Sequence, residues 1–221
     1  MKTLKIVITS DFICPWCWIG HAHLLAALKT AAPSQPMQIR FAPFELNPEM
    51  PRKGLNRKDY RSAKFGSWAR SQAMDAEVAR AGGRAGLAFD YDRVQRIPNT
   101  RMAHRLMSFA QEQGDFDRSG QLFASIFHAY FSAGLDIGQA DVLAGLASQA
   151  GFDVGAVRLF LHSGLLEAKV EAAELQARGA GIRSVPTLRL GDIVLTGALP
   201  PEVLAATVRE AIENDAATTL A

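Results

Sequence analysis

Asp11-Phe12-Ile13-Cys14-Pro15-Trp16-Cys17 contains both cysteines of this 221-residue chain. The apolar run 4–8 precedes this stretch and predicts a buried strand. The run 19–31 follows it and predicts a helix with one apolar face. A strand that delivers Cys-x-x-Cys to the start of a helix is a setting for thiol–disulfide exchange.

The spacing of the two cysteines predicts different roles for them. Two intervening residues let both sulfurs lie on one helical turn, close enough to bond. Cys14 would lie at the helix N-terminus, where unpaired N–H groups and the helix dipole favour a thiolate. Cys17, one turn further in, would be more buried and would keep its proton longer. We therefore predict that Cys14 attacks or is attacked, and that Cys17 resolves the mixed disulfide.

A zinc site is the alternative for the same cysteines. His21 and His23 follow them closely, so a Cys-Cys-His-His cluster is conceivable. The sequence has no second cysteine pair, and the spacing does not match that of zinc-finger loops. The strand-then-helix flanks favour redox chemistry, so we expect no metal and place both histidines at the surface.

Asp11, three residues before Cys14, has two interpretations. Its carboxylate could help to move the proton of Cys17. It could instead be a solvated turn residue at the exit of the strand. The sequence leaves both interpretations open.

Length and composition are those of an ordinary globular protein. The chain is 48% hydrophobic and 21% charged, and its formal net charge of +2 does not suggest nucleic acid or an anionic membrane as a partner. No apolar run approaches the roughly 18 residues of a membrane span. The first three residues lead directly into the strand without room for a secretory signal, and no further cysteine can form a structural disulfide. We therefore expect a cytoplasmic protein.

The predicted elements place strands at both ends of the chain and helices between them. A strand over 37–44 completes a right-handed βαβ unit, and strands over 188–190 and 193–196 with a helix over 200–213 make a ββα unit. The connection over 32–36 is irregular, and 214–221 should fray. The helices predicted between the two units are 58–81, 100–113, 116–131, 139–150, 153–162 and 165–178, with Gly82, Gly83 and Gly86 interrupting the chain after the first. The fold class is therefore α/β, with a mixed central sheet covered by helices on both faces. This sheet domain spans 1–48 and 180–221, and an all-α domain over 49–179 is inserted into it.

Several motifs, taken in order, resemble the thioredoxin-fold DsbA family, and in particular its cytoplasmic FrnE-like branch. They are Cys14-Pro15-Trp16-Cys17 (CPWC) within 11–20, then 43–48, 99–106 and 129–137, Val185-Pro186-Thr187 within 181–187, and 197–204. The resemblance implies a thioredoxin fold and a cis-proline at Pro186 that faces the active disulfide. It also implies that the Val185 backbone pairs with an extended substrate segment beside Cys14.

A related branch contains the kappa-type glutathione transferases and the 2-hydroxychromene-2-carboxylate isomerases. Those proteins carry serine where this chain has Cys14, and they bind glutathione as a cofactor. The segment with Asn99, Thr100, His104 and Arg105 resembles both branches. Here it lines the cleft, or Asn99 or Thr100 caps a helix.

The sequence thus predicts a cytoplasmic thiol–disulfide oxidoreductase that acts on a thiol- or disulfide-containing protein or small molecule. The catalytic residues are Cys14, Cys17 and Pro186, and the residues expected to contact substrate are Pro15, Trp16, Val185, Thr187, Asn99 and His104. No cofactor is expected, although glutathione could serve as redox partner, and the chain would be a monomer or a homodimer. One alternative is a glutathione-dependent isomerase or transferase on a small aromatic compound, which would survive loss of Cys17. Another is a chaperone-like binding module, which would suppress aggregation without either cysteine.

Overall fold

The structure is a computed structural model that describes residues 3–31 and 36–220, with side chains up to residue 214. Its elements, in chain order, are β1 (Leu4–Ser10), α1 (Pro15–Ala31), β2 (Met37–Pro43), β3 (Leu55–Asn56), α2 (Arg57–Phe65), α3 (Trp68–Arg84), β4 (Arg96–Ile97), α4 (Arg101–Glu112), α5 (Phe116–Phe131), α6 (Ala140–Gln149), α7 (Val154–Leu161), α8 (Glu167–Gly179), β5 (Thr187–Leu190), β6 (Ile193–Thr196) and α9 (Pro201–Leu220). Residues 32–35 of the predicted connection lie outside the described residues.

The central sheet is mixed, as predicted. β1 pairs in parallel with β2 and antiparallel with β5, and β6 extends β5 to give the order β2-β1-β5-β6. β1 is therefore a central strand, and its carboxyl end delivers the cysteine segment to α1. This is the thioredoxin-like arrangement that the sequence predicts.

One face of this sheet is fully covered. It carries the buried side chains of Leu4, Ile6, Ile8, Leu188 and Leu190. On the other face Lys5 and Arg189 are exposed. Residues of α4 and α8 lie beside Val7 and Arg40 on that face, so helices are present on both faces of the sheet, as predicted.

The segment between β2 and β5 differs from the prediction in three places. It is not all-α, because β3 and β4 form a short antiparallel pair. The helix predicted over 58–81 is two helices, since Gly66 at the end of α2 has φ +89°, a left-handed conformation that glycine adopts without a Cβ clash. Gly82 and Gly83 lie inside α3 rather than after it. At the chain end, α9 continues to Leu220, where fraying was expected.

A continuous apolar core joins the sheet to the helices of the long segment. Phe12, directly after β1, lies 5.5 Å and 5.1 Å from Phe123 and Phe127 of α5, measured between ring centroids. Phe41 of β2 stacks on Phe123 at 3.9 Å. These rings all belong to one apolar cluster. The division of the chain into a sheet domain and an inserted domain stays a prediction.

Candidate active site

The cysteine segment forms a tight turn between β1 and α1. The Cys14 N–H donates to the Asp11 carbonyl at 3.0 Å, and the Cys17 N–H donates to the Cys14 carbonyl at 3.0 Å. Pro15 is the first residue of α1, a position where its missing N–H has no helical partner to lose. Cys14 therefore lies at the amide-rich tip of α1, where the sequence predicts it.

Cys14 faces the segment that contains Pro186. The Cys14 thiol is directed at the Val185 carbonyl, with 3.6 Å between Sγ and O, and the Val185–Pro186 peptide bond is cis. Thr187 is buried, and its hydroxyl donates to the Ser184 carbonyl at 2.8 Å. Residues that are far apart in sequence thus meet at one sulfur, as the resemblance implies for Cys14, Val185 and Pro186.

Gly20 permits this close approach, and sequence reasoning did not single it out. A Cβ at Gly20 would lie 3.0 Å from Cγ of Pro186. The glycine one turn after Cys17 therefore leaves room for the proline to pack on α1. A small residue at this place in the CPWC helix is the signal that could have identified the contact.

The two sulfurs differ in accessibility. Cys14 keeps 6% of its surface exposed, less than an exposed nucleophile would suggest, whereas Cys17 has 0%. Burial is the main cause that raises the pKa of the Cys17 thiol well above its ordinary value, and a hydrogen bond with Cys14 raises it further. Cys17 is therefore held as a neutral thiol behind Cys14.

Asp11 is fully buried, so its interpretation as a solvated turn residue is wrong. Its Oδ2 accepts a hydrogen bond from the Leu46 N–H at 2.7 Å. Its Oδ1 lies 3.4 Å from Nε2 of His104, and neither atom has a hydrogen-bond partner among the described residues. The charge of Asp11 also contributes to the raised pKa of Cys17. A role for Asp11 in moving the Cys17 proton stays a prediction.

His104 lies beneath the site instead of lining it. Its side chain is 3% exposed, and its ring lies 5.1 Å from that of Phe12. Direct contact between His104 and a substrate is therefore inconsistent with its burial.

Asn99 holds the start of α4. Its Nδ2 donates to the Met50 carbonyl at 2.7 Å, and its Oδ1 accepts from the Arg101 N–H at 3.0 Å. Of the two predicted roles, helix capping therefore describes Asn99 better than lining the cleft. Thr100 lies at the N-cap position but makes no side-chain capping bond. Asn99 borders a different cavity, which also contains Arg105.

The two histidines of α1 are not both surface residues. His21 is buried between Phe41 and Phe123, with ring centroids 5.8 Å and 5.0 Å away, and burial lowers its pKa to about 4. His23 is half-buried, and its Nδ1 lies 2.9 Å from the Leu199 carbonyl oxygen. The apolar face of α1 is therefore wider than its leucines indicate. Within the described ranges, no group of three or more His, Cys, Asp or Glu side chains is arranged to hold a metal ion.

A groove of about 220 Å³ opens beside Cys14. Pro15 and the 38%-exposed ring of Trp16 lie on the cysteine side. α2 and α3 supply the opposite side, including Tyr60 and Met74. The site therefore combines a largely buried sulfur with a mixed apolar and polar groove that Cys14 helps to line, large enough for a small molecule or a side chain.

A buried ionic cluster that sequence reasoning missed lies in the wall of this groove. Arg57 and Arg61, on successive turns of α2, bind opposite oxygens of Asp75 on α3 at 2.6 Å and 2.9 Å. Arg57 also lies 4.9 Å from the ring centroid of Tyr91. Desolvation lowers the pKa of Arg61. The spacing of the arginines was visible in the sequence, but their pairing with α3 depends on the break at Gly66.

The part of the chain that the structure describes contains no helix long and apolar enough to cross a membrane.

Comparison with solved structures supports the overall fold. The chain is 27% identical to a probable DsbA oxidoreductase, SCO1869 from Streptomyces coelicolor, over 95% of this chain and 90% of that one, with a TM-score of 0.85. It shares its fold with a 2-hydroxychromene-2-carboxylate isomerase, at 15% identity, 97% and 98% coverage and a TM-score of 0.72. It also shares the fold of the cytosolic disulfide reductase DsbM from Pseudomonas aeruginosa, solved with GSH, at 18% identity, 95% and 100% coverage and a TM-score of 0.65.

The family model described as a DSBA-like thioredoxin domain matches residues 5–209. This match includes the cysteine segment, the helices that form the groove and the Pro186 segment. The sequence resemblance to the DsbA family is thereby confirmed, and the protein belongs to the DSBA-like thioredoxin domain family.

Proposed function

We propose that the protein catalyses thiol–disulfide exchange in the cytoplasm through the Cys14–Cys17 pair. The observation that carries the proposal is the position of Cys14, at a helix tip in the groove and 3.6 Å from the Val185 carbonyl, with Cys17 fully buried behind it. The cytoplasm fits a chain whose two cysteines leave none for a structural disulfide. It also fits the fold shared with a reductase described as cytosolic.

The proposed reaction begins with the reduced protein. The Cys14 thiolate attacks one sulfur of a substrate disulfide, forms a mixed disulfide and releases one half of the substrate as a thiol. Cys17 then loses its proton and attacks Sγ of Cys14, which releases the second thiol and leaves a Cys14–Cys17 disulfide. Two electrons pass to the substrate, and the same steps in reverse oxidise a dithiol. The raised pKa of Cys17 keeps its thiol protonated while Cys14 attacks the substrate.

Substrate docking is the second part of the proposal. The Val185 backbone and Pro186 would receive an extended segment next to Cys14, with Pro15 and Trp16 beside it. Thr187 is buried and holds the Pro186 segment through its bond to the Ser184 carbonyl, so it would not touch the substrate. Glutathione is a suitable redox partner, because DsbM, which shares this fold, was solved with GSH. No bound cofactor takes part in these steps.

Turnover by two single variants tests this function. We expect the wild-type protein to reduce insulin or bis(2-hydroxyethyl) disulfide with dithiothreitol as electron donor. Cys14→Ser should remove this activity to background, because the attacking sulfur is gone. In a single turnover without dithiothreitol, Cys17→Ser should stall as a mixed disulfide. Equal activity of the two variants would refute the assigned roles.

Glutathione-dependent isomerisation of a small aromatic compound is the second candidate. A groove of about 220 Å³ with an apolar wall beside Cys14 favours it, as does the fold shared with the isomerase. Turnover of such a compound that requires glutathione and persists in Cys17→Ser would support this candidate over the first.

A further inference from the structure

The groove beside Cys14 has a local excess of positive charge. Arg57, Arg61 and Lys64 line it on the α2 side, and among the described residues Asp75 is the one acidic side chain that lines it. The chain has 24 Lys and Arg against 22 Asp and Glu. These four residues therefore account for the whole formal excess, and the remaining charges balance.

Asp75 does not neutralise this excess. Each of its two carboxylate oxygens already binds one arginine, at 2.6 Å from Arg57 and 2.9 Å from Arg61. Both guanidinium groups are largely removed from water, with side-chain exposures of 4% and 17%. In such a partly desolvated setting, charge is screened less than at an open surface.

Asn47 holds Lys64 beside the same groove. Its Oδ1 accepts from the Tyr60 hydroxyl at 2.6 Å and from Lys64 Nζ at 3.1 Å. Because the lysine can only donate, the amide atom that faces Lys64 must be the oxygen, so Nδ2 points away from Lys64. Nδ2 is buried and has no hydrogen-bond partner among the described residues, so the contribution of Asn47 to the groove is the oxygen that holds Lys64 Nζ.

The geometry points to a carboxylate as the group that this wall of the groove receives. We infer that the protein prefers thiols and disulfides that carry a carboxylate near the sulfur. The sulfur would reach Cys14, while the carboxylate would accept a hydrogen bond from Lys64 Nζ in the field of Arg57 and Arg61. This inference rests on the proposed function and adds a substrate class to it.

Two small disulfides of opposite character provide the test. 3,3′-Dithiodipropionate carries two carboxylates, and bis(2-hydroxyethyl) disulfide is neutral. Stopped-flow kinetics give kcat/KM for each disulfide. Dividing this value by the rate of the uncatalysed reaction of the same disulfide with dithiothreitol corrects for its intrinsic reactivity. We expect the wild-type protein to favour the anionic disulfide at least about tenfold, as electrostatic complementarity allows. This preference should fall as ionic strength rises.

The variants Lys64→Glu and Lys58→Glu form a matched pair that tests whether Lys64 is the source of the preference for the anionic disulfide. Both lysines are exposed on α2 and the substitutions change the net charge equally, but Lys58 does not line the groove. Lys64→Glu should reduce the ratio of anionic to neutral kcat/KM about tenfold, and Lys58→Glu should leave this ratio unchanged at 0.15 M salt. Asn47→Asp, which places a negative charge next to Lys64 Nζ, should also reduce the ratio.

The outcomes separate this inference from the proposed function. A wild-type protein that reduces both disulfides equally well would overturn the inference and leave the exchange reaction intact. Equal ratios in Lys64→Glu and Lys58→Glu would also overturn it. A wild-type protein that reduces neither disulfide would contradict the proposed function, and the inference would fail with it.

Discussion

His21 is a buried titratable residue on the helix that begins at the active site. Its ring packs edge-on against Phe41 and Phe123, and burial lowers its pKa from 6.5 to about 4. The unfolded chain therefore binds more protons than the folded protein between these two pH values. Linkage then requires the free energy of unfolding to fall as the pH is lowered from about 6.5 towards 4.

The variant His21→Leu tests this dependence. It removes the titratable group but keeps an apolar side chain in the core. Urea unfolding at pH 7.0, 6.0 and 5.0 should show that the wild-type protein loses up to about 1.4 kcal/mol more per pH unit than the variant does. Parallel pH profiles for the two proteins would show that His21 is accessible to protons in the folded state.

At the residue scale, Asp11 and Cys14 show which positions can be predicted from the sequence and which cannot. Cys14 could be placed at a helix tip because its position depends on the residues next to it. Asp11 looked like a residue at a strand exit, yet its side chain is held by the Leu46 N–H and lies 3.4 Å from His104. Those partners come from distant segments, so no local pattern indicates them.

The glycines of α2 and α3 show the same distinction at the scale of elements. Gly82 and Gly83 suggested the end of a helix, but both lie within α3, and the break occurs earlier at Gly66. A tertiary contact explains why glycine occupies position 82 within the helix. A Cβ there would lie 2.2 Å from the Phe89 ring, whereas one at Gly83 would meet nothing within 4 Å.

Alanine substitutions at these neighbouring positions should therefore have opposite effects. Gly83→Ala should raise the free energy of unfolding by about 0.5–1 kcal/mol, because alanine favours a helix over glycine. Gly82→Ala should lower it by about 1–3 kcal/mol, since the added methyl overpacks against Phe89. Denaturant unfolding of both variants measures the difference, and stabilisation by both would contradict the packing of Phe89 on α3.

The whole molecule is held together by a core that crosses the predicted domain boundary. Phe12 from the sheet side contacts Phe123 and Phe127 of α5, and Trp18 of α1 stacks on Phe127 with centroids 6.4 Å apart. The parallel pairing of β1 with β2 and the hairpin of β5 and β6 could be predicted from the βαβ and ββα patterns at the chain ends. The way in which the helices share a core with the sheet could not, because it depends on contacts over a hundred residues apart.

We therefore expect one cooperative unfolding transition. Far-UV circular dichroism reports mainly on the helices. Tryptophan fluorescence reports on Trp16 and Trp18 near the active site and on Trp68 of α3. If the core is shared, the two signals should give the same midpoint and the same m-value in urea. Separate midpoints would instead favour an inserted domain over 49–179 that unfolds independently.

The account of the active site depends on a division of labour between Cys14 and Cys17. The most direct measurement is mass spectrometry of the Cys17→Ser and Cys14→Ser proteins after incubation with bis(2-hydroxyethyl) disulfide. We predict that Cys17→Ser retains one half of the disulfide on Cys14, releasable by dithiothreitol, and that Cys14→Ser stays unmodified because Cys17 is buried with a raised pKa. An adduct that forms equally fast on Cys17 in the Cys14→Ser protein, or no adduct on Cys14, would contradict the account.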